Sequence, residues 1–320
     1  MRTSRLTGRT PMNVLRSAIL WAADNRRLRE HLPRYRFVRR SVARFMPGEE
    51  LDDALRAAAQ LATAGLPTTF TALGENVTVE DEAERVARHY LEAYDAIAER
   101  GLDTEISVKP THLGLDVDRD LAAKNLARLA DHAAERDNWL WLDMESSRYV
   151  EPTVELYREL RSVHPNTGIC LQAYLRRTAA DVESLLPLDP SVRLVKGAYK
   201  EPSELLVGGR GPIDESFRVL ALRLLEGRRA QGRVVLGTHD VDLILRSEQD
   251  AAVRGMGRDT FEVAMLFGIR ANEQRRLAAE GYRVRTLIAY GSYWYPWFMR
   301  RIGEKPIENS LLALRNLLGG

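Results

Sequence analysis

The chain has 320 residues, 45% of them apolar and 29% charged, which is the make-up of a globular protein and a length normal for an α/β barrel. No run approaches the roughly 20 apolar residues needed to cross a bilayer, and a single cysteine, Cys170, excludes an intrachain disulfide framework and any cysteine-rich metal site. The formal charge of +2 conceals an asymmetry: residues 1–48 carry twelve arginines against Asp24 and Glu30, about +10, which leaves about −8 for the rest.

The lead starts with scattered arginines and has no apolar core followed by a small-residue cleavage site, so a cytoplasmic protein is expected. Residues 12–46 read as helices broken at Pro33, and residues 1–64 as a basic helical arm ahead of a catalytic domain over 65–320. The arm suits contact with an anionic surface. It equally suits a helix that packs its apolar side on the main domain and leaves its arginines in water. No nucleic-acid motif accompanies the charge, so nucleic acid is not expected as a partner. After Gly48, the acid-rich stretch Glu49-Glu50-Leu51-Asp52-Asp53 opens a further helix.

From about residue 67 the pattern becomes periodic, with short apolar runs alternating with helical stretches of 15–25 residues. The runs are 68–73, 105–108, 139–142, 169–174, 192–195, 234–236, 263–267 and 284–289. Eight β-then-α units predict a (β/α)8 barrel, whose active site lies at the C-terminal ends of its strands. Polar residues at those ends include Lys109, Asp143, Glu145, Gln172, Arg193, Lys196 and His239. Only five of the 47 basic residues are lysines, so Lys109 and Lys196 at strand ends point to a need for a compact point charge. Cys170, in the apolar run Gly168-Ile169-Cys170-Leu171, reads as a buried structural thiol. The six histidines show no metal-ligand spacing, and no metal is expected.

A mouth with these cations, joined by the Arg300-Arg301 pair after the last strand, is suited to a phosphate, a pyrophosphate or a carboxylate. An arginine fork holds a small carboxylate at two points, and Glu304 lies one turn beyond Arg300 to brace it. The chain has no glycine-rich strand-turn-helix fingerprint and no P-loop, which argues against a Rossmann-type dinucleotide site. Lys109 and Lys196 also admit a second class of chemistry, a lyase with a Schiff-base lysine.

An ordered set of motifs decides between these classes. Leu73-Gly74-Glu75, Ser107-Val108-Lys109, Leu142-Asp143-Met144-Glu145, Leu171-Gln172-Ala173-Tyr174-Leu175 and Arg193-Leu194-Val195-Lys196-Gly197-Ala198-Tyr199 come first. Thr238-His239-Asp240, Phe261-Glu262 and Tyr290-Gly291 through Arg300-Arg301 follow. Over roughly residues 45–310 this set resembles the short, monofunctional bacterial proline dehydrogenases.

The resemblance implies a distorted (β/α)8 barrel with its last helix over the mouth. It implies FAD-dependent oxidation of L-proline to 1-pyrroline-5-carboxylate, with electrons passed to a membrane quinone, and so peripheral membrane contact. By position, Arg300, Arg301 and Lys109 match carboxylate-binding residues. Asp143 matches the active-site aspartate, and Arg193 the arginine near the flavin. Met144, Gln172, Lys196, Gly197, Ala198, Thr238 and His239 match flavin-contacting positions. Oligomeric state and the physiological acceptor are not readable from the sequence.

Three places depart from the family pattern. Pro110-Thr111-His112 stands where many members have Leu-Ser-Gln or Leu-Thr-Gln, Ala264 where a glutamine is frequent, and Leu287 where a tyrosine closes over the proline ring. These differences predict altered ring selectivity, with 4-hydroxyproline or another cyclic amino acid competing with proline.

Overall fold

The structure is a computed structural model, and it describes residues 42–295 and 297–299. Eight parallel strands close into a barrel in sequence order, each hydrogen-bonded to the next and β8 to β1. They are β1 (Thr68–Ala72), β2 (Thr104–Val108), β3 (Leu140–Leu142), β4 (Thr167–Gln172), β5 (Ser191–Val195), β6 (Val234–Gly237), β7 (Glu262–Leu266) and β8 (Arg283–Tyr290). Every predicted run is a strand, with boundaries shifted by at most two residues. The strands are short and almost wholly buried because a parallel sheet is covered on both faces.

Eight α-helices within residues 47–291 accompany them: α1 (Leu51–Ala62), α2 (Glu80–Glu99), α3 (Arg119–Ala134), α4 (Val150–Val163), α5 (Thr178–Leu185), α6 (Arg210–Gly227), α7 (Val241–Val253) and α8 (Ala271–Ala279). Each helix needs one apolar stripe against the strands. In α2 that stripe is Ala83, Ala87, Tyr90, Tyr94 and Ile97, spaced by three or four residues. Burying a side chain as large as Tyr94 or Ile97 stabilises the fold by roughly 1.5–3 kcal/mol each. Helix α3 starts where Asp118 accepts the backbone N–H groups of Asp120 and Leu121 at 2.8 and 3.1 Å, a side-chain cap for two otherwise unpaired donors.

Helix α1 precedes β1 yet packs against β8 and β1, so it covers the outer face of the last strand. Residues 47–291 form one compact unit that includes this helix. The described residues up to Met46 and from Ser292 on belong to a second unit, in which Phe45 meets Phe298 at 6.0 Å between ring centroids. Most of the basic lead, residues 1–41, and the pair Arg300-Arg301 with Glu304 lie outside the described residues.

Candidate active site

Strand alternation builds the site. Glu105 and Ser107 fall two residues apart on the inner face of β2, with Lys109 just past its end; Glu262 and Ala264 do so on β7, and Arg285 and Leu287 on β8. The lowest step is charged: Arg285 faces Glu105 at 3.2 Å and Glu262 at 3.6 Å, and Arg233 pairs with both carboxylates at 2.7 Å. Trp141 on β3 donates its ring N–H to Glu105 at 2.7 Å and lies between two guanidinium groups, Arg233 at 5.3 Å and Arg193 at 5.4 Å.

One step higher, Arg193 crosses the barrel interior from β5. Its guanidinium donates to the Ser107 hydroxyl at 2.8 Å and forms an ion pair with Asp143, just past β3. Burial works against its charge, but Asp143 together with Cys170 and Glu105 outweighs that cost, and the guanidinium is held above its ordinary value. Arg193 is thus a fixed cation with its fork oriented from two sides, and Asp143 is the group that orients it.

At the rim, Lys109 donates to the Gly74 carbonyl at 3.2 Å and stands 3.9 Å from Glu75. Lys196, past β5, sits between Asp214 at 2.5 Å and Asp240 at 3.0 Å. Burial would raise the Asp240 carboxyl, but Lys196, helped by the Leu243 N–H and Arg210, lowers it. Both lysines face carboxylates rather than the apolar pocket that activates a Schiff-base amine, so this geometry lends the lyase reading no support. Asp214, on α6, went unnoticed in the sequence because nothing in Gly209-Arg210-Gly211-Pro212-Ile213-Asp214 links it to a strand end.

Gln172, at the end of β4, is 3% exposed and gives its amide N–H to the Glu145 carbonyl at 3.2 Å, while its Oε1 is buried with no partner among the described residues. Met144 and Thr238 are buried, and Lys196, Gly197, Ala198 and His239 are half-buried. Gly197 has φ +120, a backbone that favours glycine, and a Cβ there would lie 2.4 Å from the Tyr174 ring. The Thr238 hydroxyl accepts the N–H of Asp240 at 3.2 Å. The sequence-predicted residues of the barrel therefore gather at the strand ends and the inner wall. Cys170 is buried, and burial pushes its thiol up. No metal-binding cluster of histidine, cysteine and carboxylates occurs among the described residues.

His112, one of the departures, is 8% exposed and packs edge-on against Tyr90 at 6.4 Å. A Cβ on residue 74 would lie 2.1 Å from its Nε2, so Gly74 is the only residue that fits over the ring. Burial, aided by Lys109, pulls the imidazole down to about 3, which keeps it neutral.

A closed (β/α)8 barrel with fixed cations on its inner wall and rim suits an enzyme whose small substrate carries an anionic group. The family model for proline dehydrogenase matches residues 54–310. Proline dehydrogenase 1 of Bacillus subtilis subsp. natto is 36% identical over 306 residues, 95% of this chain and 99% of the relative. Proline dehydrogenase of Deinococcus radiodurans is 33% identical over 312 residues, 96% and 99% of the two chains. This chain belongs to the proline dehydrogenase family. Its fold is also that of proline utilization A from Bdellovibrio bacteriovorus, solved after inactivation by N-propargylglycine, with a TM-score of 0.77 at 22% identity. The match covers 91% of this chain and 36% of that one, so the chain spans about a third of the larger protein.

Proposed function

We propose that this chain oxidises L-proline to 1-pyrroline-5-carboxylate with FAD as its cofactor and passes the electrons to a membrane quinone. The observation that carries the reading is the buried Arg193, held by Asp143 and Ser107 on the inner wall of a barrel of this family.

The residues present fit a flavin. Gln172 Oε1 is a buried acceptor in want of a donor, and Gly197 keeps the β5 end free of a side chain. Met144, Gln172, Lys196, Gly197, Ala198, Thr238 and His239 would hold it. When bound, the flavin supplies the acceptor for the hydride leaving the ring carbon next to nitrogen. Arg300 and Arg301 hold the substrate carboxylate and so restrict the ring to one pose, which converts binding energy into orientation, and Lys109 assists by adding affinity for the same carboxylate. Arg193 supplies a preorganised cation where negative charge develops, and Asp143 keeps that cation from turning away.

No helix among the described residues is long and apolar enough to cross a membrane. In this proposal the quinone is reached by peripheral contact from the cytoplasmic side, for which the arginines of residues 1–48 are suited. The test is the absorption spectrum of the purified protein. A flavin band bleached by L-proline is expected, and a colourless protein or a band indifferent to proline sinks the reading.

A second reading concerns the ring. Leu287 and Ala264 stand one step above Arg285 and Glu262 on the inner wall, so the family's tyrosine hydroxyl and glutamine amide are both missing from that wall. The wall that remains is apolar, which favours a wider range of ring substituents, 4-hydroxyproline among them.

A further inference from the structure

Beyond the end of β3 lies a polar buckle that the packing of the barrel does not call for. Glu145 is 2% exposed, and its carboxylate accepts both the hydroxyl of Thr111 at 2.7 Å and the Thr111 N–H at 3.2 Å. The same hydroxyl oxygen accepts the N–H of Asn76 at 3.0 Å, and the Thr111 carbonyl accepts the N–H of Val77 at 3.1 Å. One fully buried threonine therefore joins a carboxylate from the β3 end to the loop after β1. Outside the loop, the Asn76 side chain donates to Asp116 at 2.9 Å and to the Tyr149 hydroxyl at 2.8 Å.

That loop is also where Lys109 is held. Two residues before Thr111, Lys109 donates to the Gly74 carbonyl and faces Glu75, so loop and lysine share one set of tethers. Burial pushes Glu145 up to about 7 while the Lys109 charge pulls it back. A buried carboxylate is costly unless it is satisfied, and here Thr111 satisfies it from two directions.

We propose that Glu145 is a positioning residue which, through Thr111, sets the loop Gly74–Val77 at the height that Lys109 needs to receive the substrate carboxylate. The proposal rests on the reading of Lys109 as a carboxylate-binding residue. It assigns the buckle to substrate affinity rather than to the chemical step.

Thr111→Val removes both hydroxyl bonds, Thr111→Ser keeps them, and Glu145→Gln leaves one acceptor. In the full-length FAD-loaded enzyme, Thr111→Val raises KM for L-proline by about five-fold or more while kcat stays within about two-fold. Thr111→Ser stays within about two-fold on both, and Glu145→Gln falls between. Hydrogen exchange at the Asn76 and Val77 amides rises by about ten-fold or more in Thr111→Val. If KM stays within about two-fold in both Thr111→Val and Glu145→Gln, or if exchange at Asn76 and Val77 is unchanged, the inference is overturned. Lower stability with unchanged KM overturns it as well, because that is what a purely structural threonine would give. Should Thr111→Val not fold, Glu145→Gln against Thr111→Ser makes the same comparison. A wild-type flavin that L-proline does not bleach fails the proposed function instead, while the exchange measurement still decides the buckle.

Discussion

The two ends of this barrel are both charged, yet they are charged differently. At the N-terminal end, Glu105, Glu262, Arg285 and Arg233 form a closed group in which each cation meets two carboxylates. Asp103 and Arg283 continue it outward, and with Trp139 they line a cavity of about 550 Å³. At the C-terminal end the cations are held but not enclosed. Arg193 is oriented by Asp143 and Ser107, Lys109 is tied to a loop, and Gln172 keeps an unanswered acceptor. The cations and carboxylates of the first group face chiefly one another, which ties the strands together. A group that is fixed in direction but incompletely paired can also bind, and binding residues of such barrels belong at the strand C-termini.

The difference extends to titration, and the largest expected effect follows from it. His112, at the mouth, falls from an ordinary 6.5 to about 3 because it is buried beside Lys109, with His89 also repelling a proton and Glu75 attracting one. As pH drops below 6.5, the unfolded chain takes up a proton that the folded one refuses, so this stability is complete above 6.5 and is lost on the way to 3. The loss approaches on the order of 5 kcal/mol at the acid limit. Glu145 has the opposite sign: its carboxyl is raised from 4.5 to about 7, so its contribution is present below 4.5 and is lost as pH rises through 7. Denaturant titrations from pH 7 to pH 3 should therefore show a shallower acid limb in His112→Gln than in the wild type. Equal limbs would mean that the mouth does not set the acid stability.

At the other end, Arg285→Met tests whether the closed group is structural. Arg285 is 2% exposed, and removing it leaves Glu105 with Arg233 alone and Glu262 with Arg233 and the more exposed Arg283. Breaking a buried ion pair on one side costs roughly 3–5 kcal/mol. Chemical denaturation should show that loss while KM for L-proline stays unchanged. A change in KM with little loss of stability would erase the distinction between the two ends.

How much of this was legible in the sequence depended on which physical signal each part leaves. The strands announce themselves because parallel strands buried on both faces must be short apolar runs between amphipathic helices, so all eight appeared with nearly their observed limits. Strand-end chemistry followed from position alone, since Lys109, Asp143, Gln172 and Lys196 directly end or follow such runs. Glu262 and Arg285 were less visible because they lie at inward positions within or before apolar runs, where only a known register pairs them. Asp214 reaches Lys196 from a helix 18 residues away, and no local pattern encodes that meeting. The outward packing of α1 on β8 was hidden for a related reason: a helix ahead of β1 reads as part of the arm until the barrel is closed.

The mouth's counterpart to Arg285→Met is Asp143→Asn. Asparagine keeps the shape but removes the charge that holds the Arg193 guanidinium. Removing one preorganised electrostatic group from an active site costs roughly 10²- to 10³-fold in rate. The drop should appear in kcat/KM for L-proline, while the denaturation midpoint moves less than in Arg285→Met, because Asp143 is only half-buried. A variant that loses stability as severely as Arg285→Met, with kcat/KM intact, would place Asp143 with the structural charges.

Leu287 sits between the two regimes and carries the smallest expected effect. It follows Arg285 by two residues on the same face of β8 and pairs in register with Thr69 and Leu266. It therefore stands above the closed charge group and below the rim. A leucine there can neither donate nor accept, so it does not discriminate between a bare ring and a hydroxylated one by hydrogen bonding. Leu287→Tyr restores the bulk and hydroxyl of the family pattern. A pocket contact of this kind is worth roughly 1–3 kcal/mol between competing substrates. The ratio of kcat/KM for L-proline over 4-hydroxyproline should rise by about 10-fold in the variant, measured with a dye acceptor. An unchanged ratio would show that the wall at this height belongs with the structural base rather than with the mouth.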